Sequence, residues 1–493
     1  MGVLGAADQR DRGDRPAGPG VPPGQTGPVR IHGGRLTAPV DRSGSGRRSP
    51  GAARGAYGLR TGAANPRTHT RSPGEAVSLP TAHIRTDRTA RSTEVDALRG
   101  FALLGILLVN ALMMAGPYGF GAIGESGGSV GDRTVTGLVQ TLVAGKFYLM
   151  FSFLFGYSLT FQTAAAERDG ARPVPRLLRR SLGLFVLGLL HAVLLFPGDI
   201  LMTYALLGLI LIAVRNCAAE TARRAARIVY GVGGSLLLLV GLASLLLSET
   251  GAAELDAELA AESAALAADY RTDPAGVLAA NIAQLPDTLL AILPMGGLVV
   301  AAFLTGLYGG RRDLLTVPTE ALHRAKLRRR CLLWAAAGLP GSVFMALAFS
   351  GPWGPRWVVL GEAVGAVTAP ALTFSYICGA LLLLGTTRGA RLAALLAPAG
   401  RMALTNYLSQ SLVLALVFTA YGLALYDRVP PAAVIAGAFT LYAGQLALSG
   451  WLMARYRYGP VERLLRTVTY ARLRNGETQV TSTGVTSAGP RQS

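Results

Sequence analysis

Long apolar runs separated by short polar connections set the pattern of this chain from residue 98 onward. Runs close to the ~20 apolar residues a bilayer-crossing helix needs fall at about 98–115, 147–165, 181–196, 199–214, 229–248, 287–309, 331–350, 357–385, 402–425 and 432–454. The pattern predicts an all-α polytopic membrane protein with about ten transmembrane helices. Basic residues in the connections support that number. Segments 166–180, 215–228, 311–330, 386–401 and 455–493 hold five, four, seven, three and seven Arg or Lys, whereas 116–133, 197–198, 249–286, 351–356 and 426–431 hold at most one each. The alternation is unbroken, so by the positive-inside rule both termini are expected on the cytoplasmic side of the cell membrane.

Composition agrees. Hydrophobic residues make up 51% of the 493, charged ones 15%, and mean hydropathy is +0.39, outside the range of ordinary soluble domains. A formal charge of +19 would suggest nucleic acid in a soluble chain. Here all but Lys146 and Lys326 of the 47 basic residues are Arg, spread over the tail and the inner connections, which reads as orientation and leaves nucleic acid off the list of partners. Cys217, Cys331 and Cys378 have no paired spacing, so neither a disulfide framework nor a metal site is expected.

The chain divides by composition. Residues 1–90 are rich in Arg, Gly and Pro, bury too little to order themselves, and read as a disordered cytoplasmic tail. No apolar signal-peptide core precedes the spans, and the scarcity of Lys beside Arg, Ala and Gly reads as a coding bias with a true start closer to the first span. Five spans over 91–248 form an N-terminal membrane domain and five over 287–470 a C-terminal one. Between them, 249–286 carries Glu254, Glu258 and Glu262 at four-residue spacing and reads as an extracytoplasmic helical segment. Residues 471–493 read as a second disordered tail.

Polar residues inside spans are costly and therefore informative. Asp96 and Arg99 stand three apart at the start of the first span and can pair on one helix face. They read either as a solvated anchor or as a site for an anionic ligand, since Arg suits phosphate and carboxylate. His191 precedes the break at Pro197-Gly198, and Asp199 follows it, both near the outer face. A histidine oriented by a carboxylate suits general-base chemistry. Asp199 also reads as a helix N-cap and His191 as a residue bonded to its neighbours. Asn406 with Gln410, and Gln445 with Ser449, share helix faces in the inner half, as packing contacts or as part of a site. Asn110, Tyr204 and Glu362 are candidate substrate contacts. Lys146 joins them, although snorkelling explains it equally.

Several segments carry a resemblance. Asp96-Ala-Leu-Arg-Gly-Phe101, Lys146-Phe-Tyr-Leu-Met-Phe-Ser-Phe-Leu-Phe-Gly156, His191 with Gly198-Asp-Ile-Leu201 and Tyr204-Ala205, Gly400-Arg-Met-Ala-Leu-Thr-Asn-Tyr-Leu-Ser-Gln410, and Arg457-Tyr-Gly-Pro-Val-Glu462 together resemble the YeiB-like family of bacterial multi-pass membrane proteins, over about residues 91–470. That family's C-terminal domain, about 300–470 here, has no assigned function. The Asp96–Phe101 opening is also similar to transmembrane acyltransferases of the heparan-α-glucosaminide N-acetyltransferase type.

That wider resemblance implies acyl-CoA, such as acetyl-CoA, as a co-substrate and no permanently bound cofactor. It places the donor at Asp96 and Arg99 and makes His191 the base; beside it, the residue reading adds Asn406, Gln410 and Gln445 as donor contacts and Asp199 as the group that holds His191. The implied partners are the lipid bilayer, an envelope sugar, lipid or small-molecule acceptor, and, where the chain self-associates, a homo-oligomer. Arg463 departs from the family, which carries Trp there, and suits an inner-surface lipid contact. The expectation is an acyl-CoA-dependent O- or N-acyltransferase. A transporter or flippase is the alternative, because a broken helix and intramembrane amides also suit a substrate pathway.

Overall fold

The structure is a computed structural model that describes residues 81–117, 129–318, 320–350 and 353–470, with side chains described from residue 93. Over these residues the chain is helical throughout, with no strand. In order the helices are α1 (Thr81–Ala115), α2 (Val130–Leu142), α3 (Lys146–Arg168), α4 (Pro173–Leu194), α5 (Ile200–Ala213), α6 (Ala219–Ser244), α7 (Glu249–Thr272) and α8 (Pro274–Ala283). They continue as α9 (Leu285–Arg311), α10 (Ala321–Ser350), α11 (Pro355–Leu384), α12 (Thr387–Arg401), α13 (Ala403–Phe418), α14 (Pro431–Arg455) and α15 (Pro460–Tyr470). Residues 1–80 and 471–493, read from composition as disordered tails, lie outside the described residues. Residues 81–90, assigned by composition to the first tail, are helical and lengthen α1.

Each of the ten apolar runs contains a helix, although the run 402–425 is cut short because α13 ends at Phe418. Among the described residues eight helical stretches are long and apolar enough to cross a membrane, and α5 and α13 are shorter apolar helices. At 14 residues, α5 rises about 21 Å, less than the ~30 Å hydrocarbon core. Asp199 at its start is buried inside the protein. Apolar side chains face outward on the long helices, including Leu182, Val186 and Leu190 of α4 and Leu236, Leu239 and Val240 of α6. Such surface is stable against lipid and not against water.

Some connections read as loops are helices. The segment 116–133 runs into α2, which Ser129 caps: its Oγ accepts from Asp132 N, and Asp132 Oδ2 accepts from Ser129 N at 3.1 Å. Asp132 Oδ1 also accepts from Ala432 N at 3.1 Å, tying α2 to the start of α14. The 386–401 connection is α12, and the C-terminal one contains α15. Both are amphipathic, so their apolar residues are too interspersed with charge to show as a run.

The two halves interleave. From the first half, α1 packs against α12, α13 and α14 of the second, while α3 crosses α9 and α4 meets α15. The α3–α9 crossing depends on small residues, because a Cβ on Gly156 would overlap the carbonyl of Phe303, and one on Gly306 that of Phe153. The segment 249–286, read as one helical region, divides into α7 and α8 before α9 begins. Asn281 of α8 donates to Val193 O at 3.1 Å, which puts α8 over the tip of the α4–α5 hairpin. Tyr270 fixes Asn281 by donating to its Oδ1 at 2.8 Å, and burial pushes that phenol up to about 12, so it remains a donor.

Candidate functional site

The helix break between α4 and α5 forms the site. Leu177, Arg180 and Leu184 of α4 line one cavity, and Gly188 and His191 continue the same stripe at three- and four-residue spacing. After the turn at Pro197-Gly198, Asp199 caps α5 by accepting from Met202 N on Oδ2 at 2.6 Å. The cap reading of Asp199 therefore holds, and its other oxygen reaches a second partner. Asp199 Oδ1 lies 2.9 Å from His191 Nδ1, with both side chains almost wholly enclosed. That distance is an ion pair's, but the direction is not that of an N–H···O bond. Neither ring nitrogen of His191 makes a hydrogen bond. Gly188 permits the approach, since a Cβ there would come within 2.5 Å of Asp199 Oδ2 and overlap Met202 N.

Tyr407 of α13 completes the group. Its hydroxyl donates to Asp199 Oδ1 and accepts from Ile200 N, both at 3.4 Å, and its ring centroid is 5.0 Å from that of His191. Thus α4, α5 and α13 meet here, and the two short apolar helices are the ones that bring in Asp199 and Tyr407.

A cavity of about 410 Å³ between α1, α3, α4, α5, α12, α13 and α15 reaches Tyr407, whereas His191 and Asp199 are enclosed and are not on its wall. Its inner walls are Leu103, Ile106, Phe151, Leu154, Phe155, Leu184 and Leu201, and Ile200, Tyr204 and Tyr407 line it as well. Arg99, Arg176, Arg180, Arg401 and Arg466 line it together with Glu462, Tyr458 and Tyr470. Arg180 and His191 lie eleven residues apart on α4, about 16 Å along the helix.

The arginines differ in their partners. Arg99 Nη1 pairs with Asp96 Oδ1 at 2.9 Å, and its Nη2 donates to Ser158 Oγ. Asp96 is absent from the cavity wall and holds Arg99, which lines it; the two side chains are part-buried. Arg466 stacks on Tyr458 and Tyr470, and Arg176 on Tyr470. Arg180 keeps a buried Nε with no hydrogen-bond partner. The nearby carboxylate of Glu462 is already engaged, accepting from Leu404 N at 2.7 Å and from Thr405 N at 3.0 Å at the start of α13.

The other sequence candidates lie elsewhere. Asn406 Nδ2 donates to Ala399 O at 3.1 Å and to Ser449 Oγ at 2.9 Å. Gln410 Nε2 donates to Gln445 Oε1 at 2.7 Å, and Gln445 Nε2 donates to Asn406 O at 3.0 Å and to Ser409 Oγ at 2.9 Å. These amides are buried, mutually bonded and absent from the cavity wall, which makes them contacts between α13 and α14. Lys146 is wholly buried and does not snorkel: α2 covers it, and its Nζ donates to Gln140 O at 2.9 Å near the C-terminal, electronegative end of that helix. Asn110 and Glu362 are half-buried on α1 and α11 and do not line the cavity. Tyr204 lines it, with its hydroxyl turned to α3, 2.7 Å from Ser152 Oγ and 3.1 Å from Tyr148 O. Among the described residues no cluster of three or more His, Cys, Asp or Glu could hold a metal ion, and the three cysteines are free.

Sequence reasoning gave no role to Tyr407, Arg180 or Glu462. Tyr407 and Glu462 sit within the motifs that carry the family resemblance. Arg180 was hidden among residues counted only for orientation.

Comparison with known proteins gives relatives without an assigned activity. The family model described as "Protein of unknown function (DUF418)" matches residues 310–472. The "Uncharacterized protein YxaH" of Bacillus subtilis (strain 168) is 30% identical over 395 residues, covering 76% of this chain and 93% of that protein. The "Uncharacterized protein YeiB" of Escherichia coli (strain K12) is 30% identical over 398 residues, covering 77% and 96%. An "Uncharacterized 39.9 kDa protein in amylase 3'region" of Bacillus acidopullulyticus is 27% identical over 379 residues. No solved structure matches the chain.

Proposed function

The chain belongs to the YeiB-like family of bacterial membrane proteins, and from that premise we propose that it is an acyl-CoA-dependent membrane acyltransferase. The observation that carries this reading is one cavity with two chemically different features: arginines, one of which has a buried Nε without a hydrogen bond, and Tyr407, whose ring lies 5.0 Å from that of the enclosed His191. The arginines suit the phosphates of a coenzyme donor, with Tyr458 and Tyr470 as stacking surfaces for its base. Beside Tyr407, Asp199 orients the imidazole and His191 takes the proton of an acceptor hydroxyl or amine. In this reading the arginine-lined mouth and both chain termini are cytoplasmic, the membrane is the cell membrane, and the acceptor is an extracytoplasmic sugar, lipid or small molecule.

One observation favours a carrier instead. The helices α4 and α5, interrupted at Pro197-Gly198, both line the cavity, and a broken helix beside a cavity is also what a transporter's substrate pathway presents.

Coenzyme binding and thiol release from acetyl-CoA and a longer acyl-CoA, measured on detergent-purified protein, separate the two. The acyltransferase reading expects wild type to bind and release thiol, with affinity falling about tenfold or more in Arg180→Gln. Absence of coenzyme binding by wild type, together with substrate counterflow in proteoliposomes, would overturn it in favour of the carrier.

A further inference from the structure

We infer that the N-terminus of α5 and the Tyr407 hydroxyl form an oxyanion site for a thioester carbonyl beside His191. This inference rests on the acyltransferase reading and adds the groups that stabilise its transition state.

Two helix N-termini meet this cavity, and they are satisfied differently. At α13, Glu462 takes the amides of Leu404 and Thr405 at 2.7 and 3.0 Å. At α5, Asp199 takes only Met202 N at 2.6 Å, while Ile200 N reaches Tyr407 Oη at a long 3.4 Å. Leu201 N lies in the first helical turn and has no carbonyl of its own helix to donate to. Tyr407 in turn donates to Asp199 Oδ1 only at 3.4 Å. Ile200, Leu201 and Tyr407 all line the cavity, and His191, 2% exposed and off the cavity wall, packs against Tyr407 with ring centroids 5.0 Å apart and neither ring nitrogen hydrogen-bonded. Loosely held donors at the positive end of a helix dipole, next to a base paired with a carboxylate, are what an acyl transfer requires.

The charges balance. The acceptor O–H or N–H gives its proton to His191 Nε2 as its heteroatom bonds to the acyl carbon, and the carbonyl π electrons move onto oxygen. The imidazolium then sits 2.9 Å from the Asp199 carboxylate, so that pair is neutral as a unit and does not repel the new oxyanion. The oxyanion takes up the Ile200 and Leu201 amides and the Tyr407 hydroxyl. Collapse reforms the carbonyl and breaks the C–S bond, and the thiolate recovers the proton from His191 to leave as coenzyme thiol.

The test uses the full chain in detergent or nanodiscs, with acyl-CoA as probe, and compares wild type with Tyr407→Phe. The expected result is a kcat lower by about 10² to 10³, with KM, coenzyme affinity and melting temperature near wild type. A kcat within about threefold of wild type would overturn the oxyanion role while leaving acyl transfer standing. Absence of thioester turnover by wild type would overturn both. Should Tyr407→Phe fail to fold, fluorotyrosines in place of Tyr407 keep the ring and hydroxyl and grade the donor strength. Their kcat is expected to change with fluorine number at constant KM, and an unchanged kcat would overturn the role.

Discussion

Two polar groups of the membrane-embedded helices share a neighbourhood on α13 and differ in almost every other respect. Asn406, Gln410, Gln445 and Ser449 are buried, bonded to one another between α13 and α14, and next to no space. His191, Asp199 and Tyr407 are equally buried, yet Tyr407 meets Asp199 only at 3.4 Å, neither His191 nitrogen is hydrogen-bonded, and Tyr407 faces a cavity. A satisfied network has no remaining capacity for a ligand, and its role is to hold helices together. An unsatisfied buried group costs stability, and a fold that retains one beside a cavity has a use for it. The amides in this chain are therefore read as structure and the histidine group as chemistry.

The largest expected effect breaks the comparison at its active side. His191→Ala should lower acyl transfer by about 10² to 10⁴, with a lower melting temperature, because it empties a buried site 2.9 Å from the Asp199 carboxylate. Thiol-release kinetics beside a thermal melt read both. Gly188→Ala should affect both sides at once. The new Cβ has no room against Asp199 and Met202, so stability should fall by about 1–3 kcal/mol, and turnover should fall with it while coenzyme binding at the mouth persists.

Changes in the amide network should do the reverse. Gln445→Ala removes the partner of Gln410 and two donated bonds, and a denaturant or thermal series should show a loss of about 1 kcal/mol with kcat per folded molecule intact. Ser449→Ala leaves Asn406 its bond to Ala399 O, so its cost should be smaller still, about 0.5 kcal/mol. A turnover defect in either variant, without a stability defect, would dissolve the distinction between the two groups.

The sequence made part of this legible. All ten apolar runs contain helices, because the demand for continuous apolar length in a bilayer overrides most local detail. The helices α2, α12 and α15 were not visible as such, since short or amphipathic helices interrupt their apolar residues with charge. His191 and Asp199 were recognisable as candidates from rarity and spacing, but eight residues containing a helix break fix no distance. Only the packed α4–α5 hairpin shows the 2.9 Å approach. Tyr407 was beyond reach because its partner is 208 residues away. Arg180 was masked by its neighbours, since one more arginine in a basic connection looks like topology until burial separates it. The helix-facing amides read the same way as candidates or as packing until the cavity was seen to pass them by.

The most direct measurement is a structure of the full chain with a non-hydrolysable acyl-CoA thioether bound. The expected complex has its phosphates among Arg99, Arg176 and Arg180 and its thioether sulfur at the floor, with the adjoining carbon about 3–4 Å from Tyr407 or the His191 imidazole. A coenzyme found outside the cavity, or bound with its phosphates at the α8 end, would contradict it.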